Sequence, residues 1–222
     1  MTEIYLVRHG QASFGKKVYD NLSEIGLEQG FLLGKYFKKI NVNFDQAYVG
    51  TLRRQVQTFE QIKKSFNSSL NCEQSSLLNE YDVKSVLLGF VEGRNLTNDE
   101  LYDKKVHFNL LRNAVDAWSE DKITYDVSET WKEFSDRARN FLNLIGESNS
   151  KSILVVSSGG TISMLLKQIL NMPSTQFVNF HFQIYNSSFS KIKLNEFGIS
   201  LSLFNSIAHL DNEKNDQLIT YV

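Results

Sequence analysis

Arg8, His9 and a serine-glycine turn in this chain stand where apolar stretches stop, and two further arginines open a helix, placements suited to holding an anion. Ile4-Tyr5-Leu6-Val7 runs straight into Arg8-His9-Gly10-Gln11. The glycine there permits a sharp turn and close approach of a ligand to the backbone. Arg53 and Arg54 fall in the first turn of a helix read from Leu52, Val56, Phe59 and Ile62, where the helix dipole disfavours cations and a bound anion would remove the conflict. Ile153-Leu154-Val155-Val156 ends in Ser157-Ser158-Gly159-Gly160, and strand, glycine turn and helix N-terminus together offer backbone N–H groups to an anion. Glu80 and Asp82 follow the short apolar run Leu77-Leu78, where a strand would end. Each feature also has a plainer reading: a polar strand end, solvated surface arginines, solvated acids.

Positioning these groups requires a particular set of elements. Continuous apolar runs at 4–7 and 153–156 are those of strands buried on both faces. As parallel neighbours in one sheet, they bring Arg8, His9 and the Ser158-Gly159 turn to the same edge, where open α/β sheets bind ligands. Between them, residues 14–21 are polar enough for a loop. Ser23 then caps a helix with Leu22 stapled onto Leu27. Gln46–Val49 forms a second strand, and Thr51 caps the helix carrying Arg54. Thr97 to Glu100 is a capping box opening one helix with Leu101, Val106, Leu110, Leu111, Ala114 and Trp118. Residues 83–126 therefore form a helical insertion covering the site, with Tyr81, Phe90, Arg94 and Lys104 available to a leaving group. Trp131, Phe134, Ala138, Phe141, Leu142 and Ile145 make a helical stripe facing the sheet. Residues 188–194 and 199–204 pair as a hairpin about 195–198. The fold class is α/β in three layers: a mostly parallel central sheet flanked by helices, in a single domain over residues 1–222.

Composition narrows the function classes. Over 222 residues the formal net charge is −1, with 41% apolar and 22% charged side chains, so neither nucleic acid nor membrane is an expected partner. The single cysteine, Cys72, can form no internal disulfide, and no apolar run nears the roughly 20 residues of a membrane span. A cytoplasmic location is the default expectation. The four histidines are scattered without a chelating pair, so no metal and no cofactor are expected. His107 and His181 have aromatic or apolar neighbours and read as structural. Asp82 reads as an ordinary solvated acid.

Leu6-Val7-Arg8-His9-Gly10-Gln11 resembles the signature of the histidine phosphatase superfamily, whose fold is phosphoglycerate mutase-like. Leu22-Ser23 with Gly26 and Gln29, Leu52-Arg53-Arg54 leading to Thr58, Glu80, residues 153–161 and Asn205-Ser206-Ile207-Ala208-His209-Leu210 resemble further family motifs in the expected order. The resemblance implies a metal-independent phosphomonoesterase with His9 as nucleophile and Glu80 as acid and then base. Its phosphohistidine intermediate would be held by Arg8 and Arg54, with Gln11, Ser158 and Gly159 completing the substrate-binding set. The expected partner is a small phosphorylated substrate or inorganic phosphate. One departure stands out: the family usually has histidine where this chain has Ser158, and losing one preorganised donor costs about 3 to 4 kcal/mol of transition-state stabilisation. His209 is not read as its replacement. The departure keeps open a phosphate-binding pseudoenzyme or scaffold, with a mutase-type phosphoryl transferase as the third alternative.

Overall fold

The computed structural model describes residues 1–13, 20–66, 69–211 and 216–221, with the side chains of Leu101, Tyr102 and Lys104 excepted. Strand β1 (Thr2–Arg8) is central, and helix α1 (Glu24–Lys39) follows it. After them come β2 (Gln46–Val49), α2 (Arg53–Phe66) and the short β3 (Cys72–Gln74). Three helices, α3 (Val83–Val91), α4 (Asn98–Tyr102) and α5 (Lys104–Ser119), precede α6 (Trp131–Gly146). The chain closes through β4 (Ser152–Ser157), α7 (Gly159–Ile169), α8 (Ser174–His181), β5 (Phe189–Asn195) and β6 (Gly198–Ser206).

The strands form a six-stranded sheet in the order β3-β2-β4-β1-β5-β6. Pairings from β3 through β1 are parallel; β5 and β6 add an antiparallel edge. Alternation along the central strands explains their unbroken apolarity. Ile4, Leu6, Ile153 and Val155 pack with Phe134, Ala138, Phe141 and Leu165 on one face. Tyr5, Val7, Leu154 and Val156 pack with Leu33, Phe37, Phe59 and Ile62 on the other. Both faces are covered, so neither can be polar. Among the described residues, no helix is long and apolar enough to cross a membrane.

On the second face α1 lies tightly against α2, and Gly34 is the reason it can. A side-chain carbon there would fall 2.0 Å from Ser65 Oγ and 2.3 Å from the Ile62 carbonyl oxygen. Backbone cannot yield cheaply, so Gly34→Ala is expected to destabilise the fold by about 1–3 kcal/mol, measured as a lower midpoint in chemical denaturation.

Several expectations require correction. The Thr97 capping box exists, but α4 is short and stops at Asp103, whose carboxylate caps a separate helix, α5. Leu77 and Leu78 lie in a 3₁₀ turn rather than at a strand end. Asp82 is exposed, as read, and its carboxylate also accepts from the Ser85 N–H as the N-cap of α3. Thr51 does not cap α2: its Oγ1 accepts from Asn79 Nδ2 and its N–H donates to Asn79 Oδ1, both at 2.7 Å. Sequence read the capping residue type correctly and its partner wrongly, because a hydroxyl bonds whichever neighbour the tertiary fold supplies. The predicted loop over 14–21 lies largely outside the described residues, as do the side chains of Leu101 and Lys104.

Candidate active site

Parallel pairing of β1 with β4 sets Arg8 opposite Ser157, so both strands deliver their polar ends to one edge. His9 leaves β1 there, and its N–H donates to the Ser157 carbonyl at 2.9 Å. The imidazole is buried, with Nδ1 2.7 Å from the Gly10 carbonyl oxygen and Arg54 Nε 3.1 Å from Nε2. A carbonyl only accepts and a guanidinium only donates, so the proton sits on Nδ1 and the lone pair on Nε2. Burial first, then the charges of Arg54 and Arg8, hold the His9 pKa well below its usual 6.5, so the ring is neutral. The turn that orients it is tightly seated. A Cβ on Gly10 would fall 2.4 Å from the Gly26 carbonyl oxygen, while the Gly10 N–H donates to Thr58 Oγ1 at 3.0 Å.

Arg54 stands in the first turn of α2, as the sequence requires, and meets a carboxylate there. Asp20 accepts from Arg54 Nη1 at 2.5 Å and from the Arg53 N–H at 2.8 Å. The dipole conflict read from the sequence is thus relieved by a side chain of the protein itself. Arg8 donates from Nη1 to the carbonyl of Ile184, in the segment joining α8 to β5.

Glu80 reaches the same edge from a loop that the sheet and helices hold by its carbonyls. Arg137 Nη1 donates to the carbonyls of Leu77 (2.9 Å) and Asn79 (2.7 Å), while Nε bonds Glu129 Oε1 at 2.5 Å. Ser157 Oγ and Gln55 Nε2 both donate to the Leu78 carbonyl, and Thr161 Oγ1 to that of Asn79. The carboxylate accepts from the Gly160 N–H at 2.8 Å, at the start of α7. Burial pushes the Glu80 pKa up, opposed by that hydrogen bond and by the charges of Arg54, Arg137 and Arg8. Arg137 and Gln55, which place Glu80, carry no local signal in the sequence, since each is one polar residue on an amphipathic helix.

The remaining predicted residues divide. Ser158 is fully buried and its Oγ accepts from Gln55 Nε2 at 2.8 Å, leaving its own O–H to donate elsewhere. Gly159 opens α7 beside it. Gln11 is committed at its carbonyl end, which accepts from Ser23 Oγ at 2.8 Å and so ties it to the cap of α1. Of the residues offered to a leaving group, Tyr81 is buried and Arg94 stacks over the Phe90 ring at 4.2 Å. His209 bonds Ser187 Oγ at 2.8 Å, behind His9, and His107 bonds the Glu100 carbonyl.

His181 packs among the aromatic rings of Tyr81, Phe177 and Phe182, as its neighbours in the sequence suggested, and it also borders the site. A Cβ at Gly159 would lie 3.5 Å from His181 Nδ1 and 3.6 Å from Arg8 Nε, so the ring borders the same helix start as Ser158. Burial and the Arg8 charge bring its pKa down to about 3, and burial does the same for His209. A histidine whose native pKa is depressed binds fewer protons folded than unfolded between the two values. Stability contributed by keeping His9, His181 and His209 neutral is therefore complete above about pH 6.5 and lost on acidification. Unfolding free energies measured from pH 7.5 down to 5 are expected to fall, each histidine adding up to about 1.4 kcal/mol per pH unit.

A neutral histidine, two guanidinium groups and a carboxyl thus meet at the carboxyl edge of a parallel sheet. The chain belongs to the histidine phosphatase superfamily (branch 1), whose sequence pattern matches residues 4–207. It is 25% identical over 215 residues to a Hydrogenobacter thermophilus protein provisionally named phosphoserine phosphatase 2, covering 94% of this chain and 98% of that one. A 2,3-bisphosphoglycerate-dependent phosphoglycerate mutase of Lactobacillus acidophilus is also 25% identical, over 78% of this chain and 85% of its own. Among solved structures, phosphoserine phosphatase from Entamoeba histolytica in complex with 3-phosphoglyceric acid superposes with a TM-score of 0.67 at 22% identity, covering 95% and 100% of the two chains. The superfamily and these relatives indicate a phosphatase or phosphomutase.

Proposed function

We propose that the protein hydrolyses phosphate monoesters without a metal, through a phosphohistidine formed on His9. The observation carrying this reading is the fixed tautomer of His9, whose Nε2 lone pair faces the guanidinium of Arg54. A neutral nitrogen approaches a dianionic ester without the repulsion a carboxylate would meet. Arg54 exchanges its bond to Nε2 for one to a non-bridging oxygen as substrate enters, and with Arg8 it neutralises the charge a loose transition state spreads over those oxygens. Nε2 attacks phosphorus, the ester P–O bond breaks, and Glu80 gives its proton to the leaving alkoxide. Water then attacks the phosphohistidine, Glu80 takes a proton from it, and inorganic phosphate departs with His9 neutral again. Gly159 at the helix start, the Ser158 O–H and the amide nitrogen of Gln11 complete the substrate-binding set.

The substrate class is a small phosphorylated metabolite, in keeping with the phosphoserine phosphatase names among the relatives and with 3-phosphoglyceric acid bound in one neighbour. The test is release of inorganic phosphate from an aryl phosphate in excess chelator, with turnover quenched in acid and in base. Phosphate release with a label that survives base and is lost in acid supports the reading. Binding of phosphate with no turnover leaves a sensor or scaffold instead, and isomerisation of a phosphorylated substrate without net phosphate release makes the protein a mutase.

A further inference from the structure

We infer that His181 is a phosphate-stabilising residue of this site, donating an N–H from Nδ1 to a non-bridging oxygen beside the start of α7, with Tyr81 as the residue that positions it. The inference rests on the reading of the site as a phosphoryl-transfer centre and adds a ligand that nothing in the sequence motifs supplies.

Three observations carry it. First, His181 and Arg8 converge on one point: a Cβ built on Gly159 would stand 3.5 Å from the imidazole Nδ1 and 3.6 Å from the guanidinium Nε. The segment that carries His181 also supplies the Ile184 carbonyl that anchors Arg8, so one turn places both groups. Second, the tautomer follows from Tyr81. Its buried hydroxyl lies 3.0 Å from His181 Nε2, the one acceptor found for it among the described residues, so the phenol proton points to Nε2 and the imidazole proton sits on Nδ1. Burial keeps the phenol protonated, raising its pKa well above 10. Third, Nδ1 is shut off from solvent and makes no hydrogen bond of ordinary geometry among the described residues, although the Gly159 backbone lies close to the ring. A buried donor with only that poorly aligned backbone contact is under-satisfied, and an arriving oxygen would satisfy it.

Aromatic packing holds the ring in place. Phe177 stacks on it at 5.5 Å and 23°, and Phe182 lies against it at 4.5 Å. Such contacts alone would suit a histidine of purely structural role, and they also hold a donor with little freedom. At the adjacent position Ser158 offers one hydroxyl donor, its oxygen already accepting from Gln55. A ring donor arriving from α8 therefore adds a further N–H at the same helix start.

The experiment combines a direct observation with variants. In protein labelled with ¹⁵N-histidine, the His181 ring is expected to show protonation at Nδ1, and its Nδ1 resonance should move when inorganic phosphate or orthovanadate is added. His181→Phe, which keeps the aromatic packing, is expected to lower kcat/KM for an aryl phosphate by about 100-fold and to weaken vanadate inhibition. His181→Gln, which keeps a donor, should recover part of both. Tyr81→Phe should shift the His181 tautomer toward Nε2 and lower kcat while thermal unfolding stays close to wild type. Nδ1 unmoved at saturating phosphate, or a folded His181→Phe within twofold of wild-type activity, overturns the inference. If His181→Phe does not fold, the wild-type spectrum and the glutamine variant decide it. Absence of turnover in the wild type would sink the hydrolase reading alone, because the resonance shift and vanadate affinity still report whether His181 meets the anion.

Discussion

His9→Ala is expected to abolish phosphate release, by about 10⁵-fold or more, while the protein still binds inorganic phosphate. Removing a nucleophile that acts within a unit of residues costs nearly as much as removing the unit, because no neighbouring group can form the covalent intermediate. Arg8 and Arg54 remain at the sheet edge in the variant, and they supply charge for ground-state binding. Phosphate titrated into the variant should therefore still give a binding signal, whereas quenched turnover should give no acid-labile phosphoprotein. Residual activity within a hundredfold of wild type would mean that another group or a water attacks phosphorus. Loss of both binding and turnover would point to collapse of the site, which the Gly10-Gly26 contact makes sensitive to its packing.

Glu80→Gln is expected to separate substrates by leaving group. An alkyl phosphate, whose alkoxide must be protonated as it departs, should lose about 10²–10⁴ in kcat, the range for removal of a general acid. A nitrophenyl phosphate leaves without that proton and should lose far less in the first step. Equal losses for both would place Glu80 outside the proton transfer. The pH dependence has a definite sign. Burial raises the native pKa of Glu80 above its usual 4.5, so as pH climbs through the raised value the acid is lost and the alkyl phosphate rate falls. That limb should be missing in the glutamine variant. In stability the linkage runs the same way: between 4.5 and the raised value the unfolded chain releases a proton that the native carboxyl keeps. Wild-type stability therefore declines across that window, and Glu80→Gln should gain relative to wild type as pH rises through it, read from denaturation at pH 4 and pH 7.

Much of the scaffold could be read from residue order because its signals are local. Val7, Leu154 and their neighbours are apolar without interruption, which required strands covered on both faces, and Arg8, His9 and Gly159 had to emerge where those runs end. Ser23 caps α1 through its own hydroxyl, a contact spanning three residues. The strand at 46–49 and the hairpin about 195–198 likewise follow from alternation and turn chemistry. Contacts between distant segments left no such mark. Nothing local says that Thr51 would bond Asn79 or that Asp20 would occupy the guanidinium of Arg54. Arg137 reads as one more charge on an amphipathic helix, yet it holds the loop of Glu80 by two carbonyls. His181 lies among aromatic residues in the chain and in space, so its type and neighbours described a core position. Only the seating of α8 against the start of α7 brings its Nδ1 beside Gly159 and Arg8, because a side chain's polar partners are set by which backbones the sheet and helices bring within 3 Å.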